Sequence, residues 1–302
     1  MAGRSINRNL PSSLAERGYA LAHTLKSPHL RIASLQPSIT LTLEQLGSLD
    51  TLVACTKYCI EALPQLRDQP ITVVADSWSS TADEILATQP NLVLASVPYR
   101  MESLAAILKA GCPVLTLAPH TLADVYQDMQ LIASIVCRPE RGEALIASMQ
   151  QAIETTHRAA ESQTEHPRVY CEEWGNPLIY SQPWVQELVE AAGGIFVGDA
   201  GKTTTVEAIA DADPDVLLFA WCGAGDRVPL ERVVEKRGWQ NLRAVRNGRV
   251  FCVPDEYLNT PAHTLLEGLH CLSTVIHPGE FPSHPRLRQI KPSHVAAEGT
   301  ML

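Results

Sequence analysis

Two cysteines stand at positions where a ligand could reach their sulfur atoms. Cys59 comes shortly after the apolar run of residues 51–55, and Cys222 follows the apolar run of residues 216–219. Soft sulfur donors favour softer metal centres, so both thiols are candidates to coordinate a metal held in a chelate. The alternative is that each is a small, half-buried residue that meets no ligand.

The tryptophans indicate what kind of ligand this would be. Only 5% of the residues are Phe, Trp or Tyr, yet four of the five tryptophans follow or flank predicted strand ends: Trp78, Trp174, Trp184 and Trp221. Large flat rings around a wide cleft suit a large, partly apolar planar ligand such as a corrinoid or a porphyrin. They suit a bare metal ion poorly. Since no group of several histidines with carboxylates is evident, we predict no metal site.

Short β-rich runs alternate with helical patterns, which is typical of parallel sheets built from strand–helix–strand units. The first predicted strands are residues 31–35, 51–55, 71–74, 92–95 and 114–117, with helices at 38–47, 80–89, 100–110 and 121–136. Residues 139–161 then form one long helical pattern that opens on Pro139. Further strands are predicted at 168–171, 216–219 and 250–253, and helices at 184–192, 205–211 and 262–276.

This order predicts an α/β fold of two Rossmann-like lobes with parallel sheets, joined by one long backbone helix. The predicted parts are an N-terminal extension 1–28, an N-terminal α/β lobe 29–138, a connecting helix 139–164, a C-terminal α/β lobe 165–278 and a C-terminal tail 279–302. In open α/β sheets, ligands bind beyond the carboxyl ends of the strands, so two facing lobes would form a cleft there. The predicted ligand-binding residues are Tyr58, Cys59, Trp78, Tyr99, Glu173, Trp174, Trp184, Trp221, Cys222, Asp255, Tyr257 and Asn259.

Composition narrows the classes of function. The chain has 33 acidic and 24 basic residues and a formal net charge of −9, which disfavours nucleic acid as a partner. No stretch approaches the ~20 apolar residues of a membrane span. Without a G-x-S-x-G motif, a phosphate-binding glycine loop or an interpretable acid pair, we predict a protein that is not an enzyme. A cytosolic enzyme with Cys59 or Cys222 as nucleophile, and a cytosolic metal or cofactor chaperone, stay as alternatives of other classes.

The cellular compartment is predicted from the cysteines and the first residues. The chain has eight cysteines, and all except Cys55 and Cys59 are scattered singly, which indicates reduced thiols. Residues 1–27 mix charged residues with short apolar runs and contain no apolar signal-peptide core. Both observations predict a cytoplasmic protein. The alternative is a periplasmic protein whose true start lies upstream.

An internal repeat links the two predicted lobes. Residues 83–94 align without a gap with residues 207–218. In both, an acidic residue opens a short helix, and a proline seven residues later precedes an apolar strand. The acidic residues are Asp83 and Glu207.

Together with RIASLQPSIT, CEEWGNPLIYSQPWVQELVEAAGG and LRAVRNGRVFCVPDEYLNTP, this repeat resembles the cobalamin-binding members of the helical-backbone metal-receptor superfamily. These are the substrate receptors of vitamin B12 and ferric-siderophore ABC importers. The resemblance implies a class III periplasmic-binding-protein fold and a monomeric, non-catalytic receptor for a corrinoid such as cobalamin, with no covalently bound cofactor. It also implies an importer permease that docks on Asp83 and Glu207. Ferric siderophores and heme are the alternative ligands, because related receptors carry them on the same architecture.

Overall fold

A parallel five-stranded sheet forms the first half of the chain in the computed structural model, which describes residues 30–225 and 227–290. Its strands lie in the order β3-β2-β1-β4-β5. They are β1 Ile32–Ser34, β2 Leu52–Thr56, β3 Thr72–Val74, β4 Leu92–Ser96 and β5 Val114–Leu117. The helices of this half are α1 Pro37–Gln45, α2 Lys57–Ala62, α3 Ala82–Leu86, α4 Met101–Lys109 and α5 Leu122–Ile135.

The second half contains a mixed sheet in the order β12-β11-β10-β6-β7-β9, with β8 also paired to β6. Its strands are β6 Arg168–Gly175, β7 Leu178–Tyr180, β8 Ile195–Phe196, β9 Thr203–Thr204, β10 Val216–Phe219, β11 Val250–Cys252 and β12 Arg288–Gln289. Strands β8, β6, β10 and β11 are parallel, whereas β7, β9 and β12 join by antiparallel pairing. The helices are α7 Pro183–Ala191, α8 Val206–Ala212, α9 Leu230–Lys236, α10 Arg243–Arg246 and α11 Leu265–Ile276.

One long helix, α6 Pro139–Glu161, stands between the two sheets. Proline at its first position costs no hydrogen bond, because the first amides of a helix have no partner within the helix. Its 23 residues span about 35 Å at 1.5 Å per residue. It packs against α5 of the first half and against α7 and α11 of the second half.

The central strands of each sheet are buried on both faces, and successive residues of a strand pack on opposite sides. Val216 and Leu218 of β10 pack with α7 and α11, whereas Leu217 and Phe219 pack with Trp239 on the other face. Such fully buried strands lack polar alternation, which is why β10 reads as a continuous apolar run.

The predicted fold class is confirmed, with two differences in the second half. The short antiparallel strands β7, β9 and β12 were not predicted, so the second sheet is mixed rather than parallel. Strand β12 pairs with β11, and Ile290 beside it is buried. The second sheet therefore continues beyond Pro278, where the sequence prediction ended the lobe. The other predicted boundaries stay predictions.

Candidate functional site

The first rim of the candidate cleft is formed by the loops after the strands of the first sheet, and Gln36 holds three of them together. Its side-chain Nε2 lies 2.9 Å from Ser77 Oγ, 3.2 Å from the Ser96 carbonyl oxygen and 3.1 Å from the Pro98 carbonyl oxygen. These contacts connect the ends of β1, β3 and β4. The loops that carry Trp78 and Tyr99 are thereby fixed to one another.

Trp78 is presented to solvent by a tight turn. Asp76 Oδ1 accepts hydrogen bonds from the amides of Trp78, at 3.1 Å, and Ser79, at 2.9 Å. Burial opposes ionisation of Asp76, but these hydrogen bonds and the nearby Lys57 ammonium outweigh it and lower its pKa. The Trp78 side chain is left 61% exposed. An exposed indole at a strand end is available to a ligand.

The second rim is a polar cluster that joins the ends of β6, β10 and the turn after β11. Cys222 Sγ donates to Glu173 Oε1 at 3.8 Å, and Asn259 Nδ2 donates to Cys222 Sγ at 3.4 Å. The Asp255 carboxylate accepts the amides of Gly223, at 2.8 Å, and Gly225, at 2.9 Å. Four residues predicted from sequence, Glu173, Cys222, Asp255 and Asn259, are thus brought together.

Burial controls the ionisation of this cluster. Burial raises the pKa of Glu173, and hydrogen bonds from Gln182 Nε2 and Cys222 partly offset this rise. Burial also raises the pKa of Asp255, although the backbone amides that donate to its carboxylate act in the opposite direction. The pKa of the Cys222 thiol is raised well above its usual range, first by burial and then by the charges of Glu173 and Asp255. Cys222 is exposed, but a raised pKa disfavours the thiolate form that binds metals and acts as a nucleophile.

Trp221 is held by a buried ion pair that the sequence did not reveal. Glu172 is completely buried and accepts from Trp221 Nε1 at 2.7 Å and from Arg237 Nη1 at 2.7 Å. Tyr170 Oη donates to the same carboxylate at 2.5 Å. A Cβ atom on Gly175 would lie 2.2 Å from the Trp221 ring, so only glycine fits there. The adjacent residues Glu172 and Glu173 thus have different roles, one beneath Trp221 and one at the surface of the rim.

The two rims meet at Tyr58 and Gly223. A Cβ atom on Gly223 would lie 3.7 Å from Tyr58 Cε1 and 3.8 Å from its hydroxyl oxygen. Tyr58 belongs to α2 of the first half, and Gly223 to the turn after β10. This contact places the ends of the two sheets opposite each other.

Other predicted site residues lie elsewhere. Cys59 is completely buried and 3.3 Å from Thr56 Oγ1, so it does not face Cys222. Trp184 is a core residue whose Nε1 donates to the Leu258 carbonyl at 2.7 Å. Their burial disagrees with the prediction that they line the cleft, and we leave both out of the proposed site. The cause is the short helices α2 and α7, which turn these side chains inward.

Trp174 and Tyr257 are partly accessible and make contacts of their own. Trp174 is 42% exposed in the β6–β7 hairpin, where its Nε1 donates to the Asn176 carbonyl at 2.8 Å. Tyr257 is half-buried, with its ring 5.2 Å from the His284 ring. Both stay predictions as ligand contacts.

Asp83 and Glu207 occupy equivalent places in the two halves. Each is exposed in the first turn of a short helix, α3 or α8. Each of these helices begins with a threonine, Thr81 or Thr205, whose hydroxyl accepts an amide of the first turn. The helix ends therefore present one carboxylate each on the outer surface.

A match to a known protein family covers most of the chain. Residues 32–257 match the family described as periplasmic binding protein. The chain belongs to this family. Within the described ranges, no helix combines the length and apolarity needed to cross a membrane.

Three similar proteins illustrate the family. An uncharacterised ABC transporter substrate-binding lipoprotein of Bacillus subtilis is 25% identical over 270 residues, covering 85% of this chain and 83% of its own. A cobalamin-binding protein of Halobacterium salinarum is 23% identical over 267 residues, covering 85% and 72%. The structure of the apo periplasmic heme-binding protein RhuT from Roseiflexus sp. RS-1 superposes with a TM-score of 0.72 at 25% identity, covering 82% and 98%.

Proposed function

We propose that this periplasmic-binding-protein family member is a non-catalytic receptor that binds a corrinoid between its two sheets. The observation that carries the proposal is the pair of tryptophans on opposite rims, exposed Trp78 and the fixed Trp221, around the contact between Tyr58 and Gly223. Flat rings on both sides give a planar macrocycle stacking and apolar burial. The similarity to a protein named for cobalamin binding supports the same ligand class.

The charges at the rims favour an uncharged or cationic ligand over a strongly anionic one. On the second rim, the carboxyl groups of Glu173 and Asp255 lie at Cys222 and at the adjacent Gly223. On the first rim, Lys57 lies 3.8 Å from Asp76, and Arg100 lies 3.7 Å from Glu102. A corrinoid, whose periphery carries neutral amides, avoids the repulsion that carboxylates of a heme or an acidic siderophore would meet.

Heme is the second candidate. The similarity to a structure named for heme binding supports it. So do two tyrosines at the first rim, Tyr58 and Tyr99, whose phenol oxygens can serve as axial ligands of heme iron. In this alternative the tryptophans would stack on the porphyrin in the same cleft.

Delivery to an ABC importer is part of the proposal. The exposed carboxylates of Asp83 and Glu207 would pair with basic residues of a permease, one on each half of the receptor. A receptor that works with an importer is expected outside the cytoplasm, and one relative is named a lipoprotein. The cytoplasmic prediction has no support from these relatives. Fractionation of cells that produce the tagged full chain tests it.

Thermal unfolding of the full chain with cyanocobalamin, cobinamide or hemin tests the ligand class. A ligand present at 100 times its dissociation constant stabilises the folded state by about 2.7 kcal/mol. We expect a clear rise in melting temperature with at least one corrinoid and none with hemin. A rise with hemin alone would replace the first candidate by the second, and no rise with any of them would remove both.

A further inference from the structure

Two histidines and a glutamate meet near the end of the described chain. Glu267 and His270 are three residues apart on α11, which places them on one face of the helix. His284 comes from the segment after this helix and is buried. One donor atom of each side chain lies within 4.8 Å of the other two. These residues are separated along the chain, so the sequence predicts no metal site.

The contacts of the His270 ring resemble those of a metal ligand. His270 Nε2 lies 2.8 Å from the Pro282 carbonyl oxygen, so this nitrogen carries the proton and donates it. The lone pair of the neutral ring is then on Nδ1. Histidines that bind metals almost always donate their other ring N–H to a carbonyl or carboxylate in this way. His284 Nε2 already lies 3.0 Å from Glu267 Oε2.

We propose that Glu267, His270 and His284 bind a divalent transition-metal ion such as zinc. Two imidazole nitrogens and one carboxylate oxygen form a zinc donor set that leaves a fourth position for water. At metal–ligand distances of about 2.0–2.2 Å, the donors of a tetrahedral site are about 3.5 Å apart, so donor atoms as far as 4.8 Å apart have to approach by about 1 Å. Glu267, which is 52% exposed in its side chain, has the freedom to make this adjustment.

Metal binding changes the protonation of His284 in a specific way. The Arg286 amide lies 3.1 Å from His284 Nδ1 and donates to it, so the ring proton is on Nε2 and is shared with Glu267. A metal on Nε2 displaces the proton from that nitrogen, and the ring remains neutral by taking up a proton on Nδ1. The Arg286 amide then loses its acceptor, which makes this amide a reporter of the site.

The site would connect three parts of the second half. Its ligands belong to α11 and to the segment that leads into β12, the edge strand of the second sheet. The His284 ring is in edge-to-face contact with Tyr257, in the turn that follows Asp255 of the second rim. A bound ion would therefore fasten the edge strand and brace the turn behind the rim. This proposal does not depend on which ligand the cleft binds.

Zinc titration of the chelator-treated full chain, followed by calorimetry and thermal unfolding, tests the site. We expect one zinc ion per chain and a higher melting temperature. Glu267→Ala and His270→Gln should each weaken zinc binding at least tenfold. His157→Gln, an exposed residue of α6, is the matched control and should bind as the wild type does.

Cobalt and the Arg286 amide add two readouts that a purely structural role of these residues would not change. Cobalt(II) should give the intense visible bands of a tetrahedral site, and zinc should shift the ¹⁵N–¹H resonance of Arg286. The proposal is overturned if the wild type binds no zinc. It is equally overturned if both substitutions leave the zinc affinity unchanged.

Discussion

Tyr58 and Gly223 are 165 positions apart in the sequence, yet a Cβ atom on Gly223 would be in van der Waals contact with the Tyr58 ring, 3.7 Å from its Cε1. Gly223 also has a φ of +72°, a conformation that glycine adopts without strain. The backbone turn therefore selects glycine at the position where the two rims meet.

Gly223→Leu should weaken ligand binding at least tenfold, because the added side chain occupies space between the rims. Both this change and Gly111→Leu place a side chain at positive φ, which costs about 1 kcal/mol of stability. Gly111 has a φ of +84°, and a Cβ atom added there would have no atom of the described residues within 4 Å, so it is the matched control. Calorimetric titration should show weaker binding for the first variant only. Equal affinities of the two variants would contradict the cleft assignment.

Trp78→Ala should weaken corrinoid binding by about 1–3 kcal/mol through lost stacking and burial. Because the ring is 61% exposed without ligand, its removal should leave the melting temperature of the free protein nearly unchanged. Ile195→Ala is the control: Ile195 is 51% exposed on β8, which pairs with the first residues of β6, away from the rims. If Trp78→Ala binds as tightly as this control, the indole is not a ligand contact.

Arg237→Met should destabilise the free protein by about 3–5 kcal/mol, because it leaves the buried Glu172 carboxylate without its cation. Adding Glu172→Gln should restore much of this loss, since the uncompensated charge is then removed. Urea unfolding measures both variants. A single variant as stable as the wild type would show that Glu172 does not depend on the ion pair.

Asp128 should make the stability depend on pH. Burial first, and then the charge of Asp124, raises its pKa to about 6, against an ordinary value of 3.8. Between these two values the folded state holds more protons than the unfolded state, so this residue's contribution to stability falls as the pH rises from about 4 to about 6. Asp128→Asn should therefore gain stability relative to the wild type more at pH 7 than at pH 4. An identical difference at both pH values in urea unfolding would contradict the raised pKa.

Local sequence signals were sufficient for most of the fold. The apolar runs that became β4 and β10 and the proline-led pattern of α6 each depend on neighbouring residues only, so they could be recognised directly. Strands β9 and β12 contain two residues each and exist because β7 and β11 offer them a partner. Nothing within such short segments indicates this pairing.

The sequence also selected some of the residues that lie at the rims. Glu173, Cys222 and Asn259 were chosen because parallel strands end at one edge of a sheet, and their side chains are in contact; their role in ligand binding stays a prediction. That rule gives no side-chain direction, so it also selected Trp184, which α7 turns into the core. Arg237 was missed because it reaches Glu172 from 65 positions away, a contact that only tertiary structure creates.

Calorimetric titration of the wild-type chain with cyanocobalamin, alongside hemin at equal concentrations, tests the central claim most directly. The proposed receptor predicts a single 1:1 binding step for the corrinoid, weakened by Trp78→Ala, and no binding of hemin. Saturable 1:1 binding of hemin without any binding of cyanocobalamin or cobinamide would contradict it.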